Sequence, residues 1–332
     1  DKKGIAASYR FGIGTADEFL VGLYALQNDN GINYGMPWIR PTATSPGSAL
    51  TLNNNLSPNT YYGLASDTNK GTANHLTASH THRFDGDSEL KTTIRTGSYT
   101  RDQRSGAIRF CQRTVNATTG VVSNPTCPTP LVALDTVNNA TVLTRGNNNK
   151  VQDLDATYAQ SDYSNKFTAL GLRHEVLAGV DWASERKRVY SLSAVTKPTT
   201  TIGAVDDGAA VDEASRTKTL ASAFRSNSLG LYAQDLLQVA PDWKLLGGLR
   251  FDRMRATYDN LAASGAITSN YEQSISDWSH RFGALYQPNA LHSYHVSYGT
   301  SFNTSGDTYS YAANTANAGP EESRNLELGA KL

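Results

Sequence analysis

With 332 residues carrying 30 basic and 30 acidic side chains, the chain has no net field to draw nucleic acid, which sets nucleic-acid binding aside. An apolar fraction of 39%, and no run approaching the roughly 20 apolar residues that a spanning helix needs, exclude a helical membrane protein. A transmembrane β-strand needs only about 9–11 residues with alternate ones facing lipid, so a barrel remains open to the chain.

Period-two alternation predicts the elements in chain order. Ile5, Ala7, Tyr9, Phe11 and Ile13 alternate with small or polar residues, which puts one face of a first strand in an apolar medium and the other in water. The pattern returns at Leu229, Leu231 and Ala233, then at Leu245, Gly247, Leu249 and Phe251, and finally at Leu326, Leu328, Ala330 and Leu332. It predicts about eleven strands near 3–14, 17–28, 72–84, 88–101, 151–163, 174–188, 223–239, 243–258, 276–287, 292–303 and 322–332. Most exceed the usual length of a soluble strand. The side chains Ile5, Tyr9, Phe11, Leu229, Leu231, Leu249, Phe251, Leu326 and Leu328 are expected to face outward.

Connections alternate in length. Short turns are expected at Gly14–Asp17, Phe84–Ser88, Val239–Trp243 and Pro288–His292, with a longer one around Ser164–Arg173; long loops rich in Asn, Thr, Ser, Gly and Pro cover 29–71, 102–150, 189–222, 259–275 and 304–321. An outer-membrane barrel has this asymmetry, tight periplasmic turns opposing long external loops, whereas a soluble sandwich or solenoid rarely tolerates so many long loops. Tyrosine, at 17 residues against 9 Phe and 4 Trp, adds polar-tipped rings suited to a membrane boundary. Cys111 and Cys127 lie in one long loop and read as a local disulfide in an oxidising compartment, two free thiols being the alternative.

Several segments resemble those of TonB-dependent siderophore receptors. Gly230-Leu231-Tyr232-Ala233-Gln234-Asp235 followed by Trp243-Lys244-Leu245 and Gly248-Leu249-Arg250-Phe251-Asp252 resembles a mid-barrel hairpin of that family. Tyr294 to Phe302 and Pro320 to Lys331 resemble the next hairpin and the strand after it. Tyr34-Gly35-Met36-Pro37-Trp38 and Tyr61 to Asp67 are similar to first-loop segments of the catecholate-type branch. The resemblance implies an all-β fold: an antiparallel transmembrane β-barrel fragment, about half of a 22-strand barrel, with the N-terminal plug, its TonB-contacting motif and the C-terminal strands outside 1–332. The chain opens at Asp1 with neither a methionine nor an apolar signal segment and ends at Leu332 inside a predicted strand, so both ends read as cut.

The implied function is outer-membrane import of ferric siderophores, coupled to TonB, with a passive porin or barrel enzyme as the alternative. The expected partners are a ferric siderophore, the TonB complex, outer-membrane lipid and lipopolysaccharide. A ferric tris-catecholate is anionic and aromatic, so Arg or Lys supplies charge while Tyr or Trp stacks or hydrogen-bonds. The densest cation cluster, Arg101, Arg104 and Arg109, climbs into the cysteine loop; Tyr34, Trp38, Tyr61, Tyr62, Tyr309 and Tyr311 are the aromatic candidates. No cofactor is expected. His80 and His82 share a strand face and His292 and His295 flank a turn, but no third ligand is evident in sequence, so these histidines read as surface or lumen groups and not as a metal site. No Gly-x-Ser-x-Gly motif marks a nucleophile. Phe302-Asn303-Thr304-Ser305 stands where haem receptors of the superfamily carry Phe-Arg-Ala-Pro, which favours a siderophore over haem.

Overall fold

The computed structural model describes residues 1–332 except 47, 53–55, 58, 85, 86, 117, 128–131 and 304–308, together with the side chain of Thr114. Thr304 and Ser305, and with them half of the tetrapeptide compared with the haem motif, lie outside the described residues.

Sixteen strands occur among the described residues: β1 (Lys2–Phe11), β2 (Asp17–Asn30), β3 (Thr68–Arg83), β4 (Glu89–Arg104), β5 (Gly106–Phe110), β6 (Thr114–Val115), β7 (Val122–Ser123), β8 (Val142–Asn147), β9 (Lys150–Ala169), β10 (Leu172–Leu192), β11 (Thr200–Thr201), β12 (Lys218–Ala240), β13 (Trp243–Leu261), β14 (Ile267–Tyr286), β15 (Ser293–Asn303) and β16 (Glu321–Lys331). Eleven of them form one antiparallel meander in the order β1-β2-β3-β4-β9-β10-β12-β13-β14-β15-β16. These are the eleven strands predicted from alternation. The first and last do not pair with each other, so the sheet is an unclosed stretch of barrel wall.

Meander connectivity puts 12–16, 84–88, 170–171, 241–242 and 287–292 at one end and the connections 31–67, 105–149, 193–217, 262–266 and 304–320 at the other. At the first end the turns are tight for local reasons. Leu170 and Gly171 both hold positive φ, the geometry of a two-residue hairpin turn whose twist matches its strands. Gly12 also has positive φ, and a Cβ there would run into the Asp17 carbonyl.

One of the five predicted long loops is corrected. The segment 259–275 is not a loop but the end of a hairpin, since β13 pairs with β14 up to Leu261 opposite Ile267. The predicted loop 189–222 also shortens, because β10 runs to Leu192 and β12 starts at Lys218. The 23 residues of β12 extend roughly 75 Å at about 3.3 Å each, far beyond an apolar band about 25 Å tall. Past that band lipid no longer requires an apolar outer face, so the alternation that reveals a strand weakens.

Directly opposed residues share a face. Register links Phe11, Phe19, His80, Thr92, Ser161, Val180, Leu231, Phe251 and Trp278 into one lateral row. Ile5, Tyr9, Phe11, Leu229, Leu231, Leu249, Leu326 and Leu328 are exposed on this face, which is the lipid-facing one. Phe251 shares it but is half-buried, wedged between Leu231 and the Trp278 ring, whose centroid lies 5.1 Å away.

The opposite, lumenal face is polar and paired. Arg250 donates to Asp181 at 2.7 Å and to Asp252 at 2.8 Å, and Tyr232 bonds Asp162. Near the turn end Arg10 and Arg83 both pair with Glu18.

The long loops have structure of their own. β5, β8 and β11 form a three-stranded sheet, and Tyr62, Ile108, Leu143 and Ile202 make a hydrophobic core beneath it. Buried Arg145 ties three connections together, donating to the Tyr62 carbonyl at 2.7 Å, the Pro198 carbonyl at 3.2 Å and Asp207 Oδ1 at 2.7 Å. Burial alone would raise the Asp207 pKa, but the Arg145 bond and the Ala209 amide outweigh it and hold the carboxyl below its ordinary range. Cys111 and Cys127 are bridged, their Cα atoms 5.3 Å apart, within the window a disulfide requires.

Candidate functional site

Strand parity separates the arginines that sequence adjacency grouped. On β4, Ile94 faces lipid, so Tyr99, Arg101 and Gln103 point to the lumen while Asp102 and Arg104 point outward. Arg104 is already engaged: it pairs with Asp102 at 2.8 Å and donates to the Glu213 carbonyl at 2.6 Å, leaving its side chain 19% exposed. Its surroundings make it a loop anchor. Arg109 stands exposed on β5, in the loop sheet and apart from Arg101. Arg101 and Arg104 therefore do not share a face.

Arg101 meets a different set of groups. A cleft of about 210 Å³ is lined by Tyr99, Arg101, Gln152, Leu154, Lys187 and Tyr309. Tyr309 also borders a larger cavity of about 560 Å³ that reaches Glu185, Phe224, Ser226, Arg250 and Asp252 on the lumenal wall. It arrives there because the connection before β16 folds inward. Its hydroxyl donates to Glu185 Oε1 at 3.1 Å, its ring packs edge-on against Phe224 at 5.4 Å, and Lys187 Nζ sits 5.0 Å above it. Burial first, then the Glu185 charge, push the Tyr309 phenol up to about 12, so it stays protonated as a donor at any physiological pH.

The other aromatic candidates divide. Trp38 is exposed; Tyr34 is exposed too, and its hydroxyl accepts a bond from Gln103 Nε2 at 2.6 Å. Tyr61 is half-buried and donates to the Leu64 carbonyl at 2.8 Å; burial and the nearby Asp67 push its phenol up to about 12. Tyr62 and Tyr311 are corrections. Tyr62 is 1% exposed and its hydroxyl is spent on the Ile202 carbonyl at 2.7 Å, so it belongs to the loop core. Tyr311 is likewise buried, in a cluster with Phe224, Ala256 and Ala316 that holds its loop against the lumenal wall.

Sequence reasoning missed Lys187, Glu185 and Tyr158. Tyr158 donates to the same Glu185 oxygen at 2.6 Å. Counting parity outward from the lipid-facing Trp182 and Ala159 would have placed all three on the lumenal face. What no pattern could show is that Tyr309 would meet them from a loop more than a hundred positions away. The expectation that no third ligand joins His80 and His82 is also corrected, because cross-strand register brings Asp17 beside both.

The wall, its loops and the lumenal cluster define a class of outer-membrane receptor barrel, and comparison with known proteins agrees. The family described as TonB dependent receptor-like, beta-barrel matches residues 15–332, and the chain belongs to it. Members are receptors and transporters, not enzymes, of the outer membrane of Gram-negative bacteria. The chain is 27% identical to the catecholate siderophore receptor Fiu of Escherichia coli O157:H7 over 270 residues, covering 80% of this chain and 33% of that protein. It is 30% identical over 111 residues to the probable TonB-dependent siderophore receptor PiuA of Acinetobacter baumannii, covering 31% of this chain and 15% of that protein. The crystal structure of the ferric-catecholate import receptor Fiu from E. coli K12, closed form, superposes with a TM-score of 0.80 at 21% identity, over 99% of this chain and 48% of that one. The siderophore receptor PiuA of A. baumannii gives 0.77 at 19% identity, over 99% and 47%. The chain thus spans about half the length of these solved structures.

Proposed function

We propose that this chain is part of a receptor that imports ferric siderophores of the catecholate class across the outer membrane. The observation that carries the reading is the lumenal cluster of Arg101, Lys187, Tyr99 and Tyr309, which joins two cations to aromatic rings around one cleft. Cations match the charge of a ferric tris-catecholate, and tyrosine rings stack on its rings. The names of the relatives, catecholate siderophore receptor and ferric-catecholate import receptor, support the ligand class. Iron enters this scheme as cargo, not as a cofactor, and the chain's residues perform no covalent chemistry. Residues 1–332 read as a partial barrel domain, with the plug, the remaining strands and the contact with TonB belonging to the rest of the receptor. Competitive binding of labelled ferric catecholates and hydroxamates to cells expressing the intact receptor tests the assignment.

The outer surface supports lipopolysaccharide as the surrounding lipid. Arg186 stands directly opposite Arg225, and Arg253 and Arg255 follow on the next strand, all exposed and all beyond Trp182, Leu229 and Phe251 toward the long-loop end. Among the described residues no carboxylate pairs with these four. Like charges directly opposed destabilise a sheet unless an anion bridges them. The phosphates of an external lipopolysaccharide leaflet have the right charge and depth to do so.

A further inference from the structure

At the turn end of the lipid-facing surface, Asp17 opens β2 directly opposite His82 of β3, with His80 two residues away on the same face. Both imidazoles aim at one oxygen: His80 Nε2 lies 2.8 Å and His82 Nδ1 2.7 Å from Asp17 Oδ1. The three donor atoms fall within 4.8 Å of one another. The rings are held in place, Phe19 stacked on His80 at 4.4 Å and Phe84 edge-on to His82 at 4.5 Å. Thr15 fixes the turn, its hydroxyl bonding the Gly12 and Asp17 carbonyls at 2.8 Å each. The nearby guanidiniums of Arg10 and Arg83 are committed to Glu18 on the opposite face, so neither neutralises Asp17.

We propose that Asp17, His80 and His82 bind a divalent first-row transition ion, Zn²⁺ being the fitting probe, and that the ion clamps β2 to β3 at the membrane boundary. Two imidazole nitrogens and one carboxylate oxygen suit Zn²⁺, Ni²⁺ or Cu²⁺, whereas Ca²⁺ and Mg²⁺ require more oxygens. Bonds of about 2.0–2.2 Å place tetrahedral donors roughly 3.3 Å apart, a spacing these side chains reach by small torsional shifts while β2 and β3 keep their register. The His80 and His82 side chains are 42% and 35% exposed, so the protein does not cover the remaining coordination positions, and beside the short turn interfacial water can fill them. Such an ion would replace two hydrogen bonds to a single carboxylate by three cross-linking bonds.

The test uses the intact receptor, purified in detergent, freed of metal with a chelator and titrated with Co²⁺. The proposal expects visible d–d absorption that saturates at one Co²⁺ per receptor and is displaced by one equivalent of Zn²⁺. His80→Asn and His82→Asn should each weaken Zn²⁺ binding by at least about tenfold, since even loss of a group that merely orients a ligand costs about that much. Asp17→Asn, which can still bond one imidazole, should weaken it as well. Heat-modifiable mobility reports whether each variant has assembled. No Co²⁺ absorption in the wild type, meaning a hydrogen-bonded His–Asp–His cluster only, overturns the proposal. So does absorption that survives the double histidine variant. Should the variants fail to assemble, the wild-type protein decides: Zn²⁺ should shield His80 and His82 from diethyl pyrocarbonate, and equal modification with and without Zn²⁺ refutes the site.

Discussion

Substituting Tyr62 separates the stability of the external loops from that of the barrel wall. Tyr62 is 1% exposed, and its hydroxyl bonds the Ile202 carbonyl at 2.7 Å, joining the connection after β2 to the one after β10. Its packing partners, Ile108, Leu143 and Ile202, all lie in the connections and none in the eleven-stranded sheet. Tyr62→Phe leaves that carbonyl buried and unpaired, at a cost of about 1–3 kcal/mol. Tyr62→Ala also opens a cavity, for a total of about 3–5 kcal/mol. Because tenfold corresponds to about 1.4 kcal/mol, the Phe variant should speed opening-limited exchange roughly 5- to 150-fold. Hydrogen exchange read by mass spectrometry over β5 and β8 of the intact receptor measures this directly, with heat-modifiable mobility reporting the wall. Unchanged exchange in Tyr62→Ala, or equal loss of heat-modifiable mobility, would refute the idea of an independent loop core.

Arg101→Ala should weaken binding of a ferric catecholate by about tenfold or more, the worth of one charge-assisted contact, in an equilibrium binding assay with outer membranes. Arg104→Ala should instead raise the proteolytic sensitivity of the loop around Glu213, because that is the contact it loses. Mass spectrometry of non-reduced peptides should find Cys111 joined to Cys127, and reduction should loosen the loop they close without dissolving the wall. The Asp207 carboxyl lies below its ordinary value of 3.8, so its contribution to loop stability is fully present above that pH and is lost as the pH falls through the lower folded value. Loop exchange should therefore be unaffected by the Arg145–Asp207 pair between pH 7 and 5 and accelerate only in stronger acid. Replacing Arg186, Arg225 and Arg255 by Gln should lower the phosphate of co-purifying lipopolysaccharide.

The wall was legible in sequence because lipid imposes a strict rule: Ile5, Tyr9, Leu229 and Leu326 must alternate with polar partners, and turns such as Val239–Trp243 must be tight; the turn read as a longer one around Ser164–Arg173 is in fact only Leu170-Gly171. The rule lapses outside the bilayer. There, the hairpin from Thr257 to Ser276 turns Tyr258, Tyr271 and Ile275 to the lumenal face and mostly polar side chains outward, the reverse of the lipid rule, and its apolar positions are too sparse to mark it. The loop core escaped notice because it joins Tyr62, Ile108, Leu143 and Ile202 across three connections, a pairing no local pattern encodes. Arg101 and Arg104 looked like one cluster because sequence distance hides that residues an odd number apart in a strand face opposite ways. Asp17 escaped as a partner of His80 and His82 for the complementary reason: only the register of β2 against β3 brings it there.

In the proposed function, ferric catecholates are captured on the lumenal side of the external end. Such capture is tested most directly by equilibrium binding of an iron-55 tris-catecholate to cells expressing the intact receptor, with wild type compared to the Arg101→Ala, Lys187→Ala double variant. Binding should be saturable, displaced by unlabelled ferric catecholate and not by ferric hydroxamate, and weakened at least tenfold in the double variant although it reaches the outer membrane in equal amount. Equal binding by the two proteins, or displacement by hydroxamate alone, would contradict it.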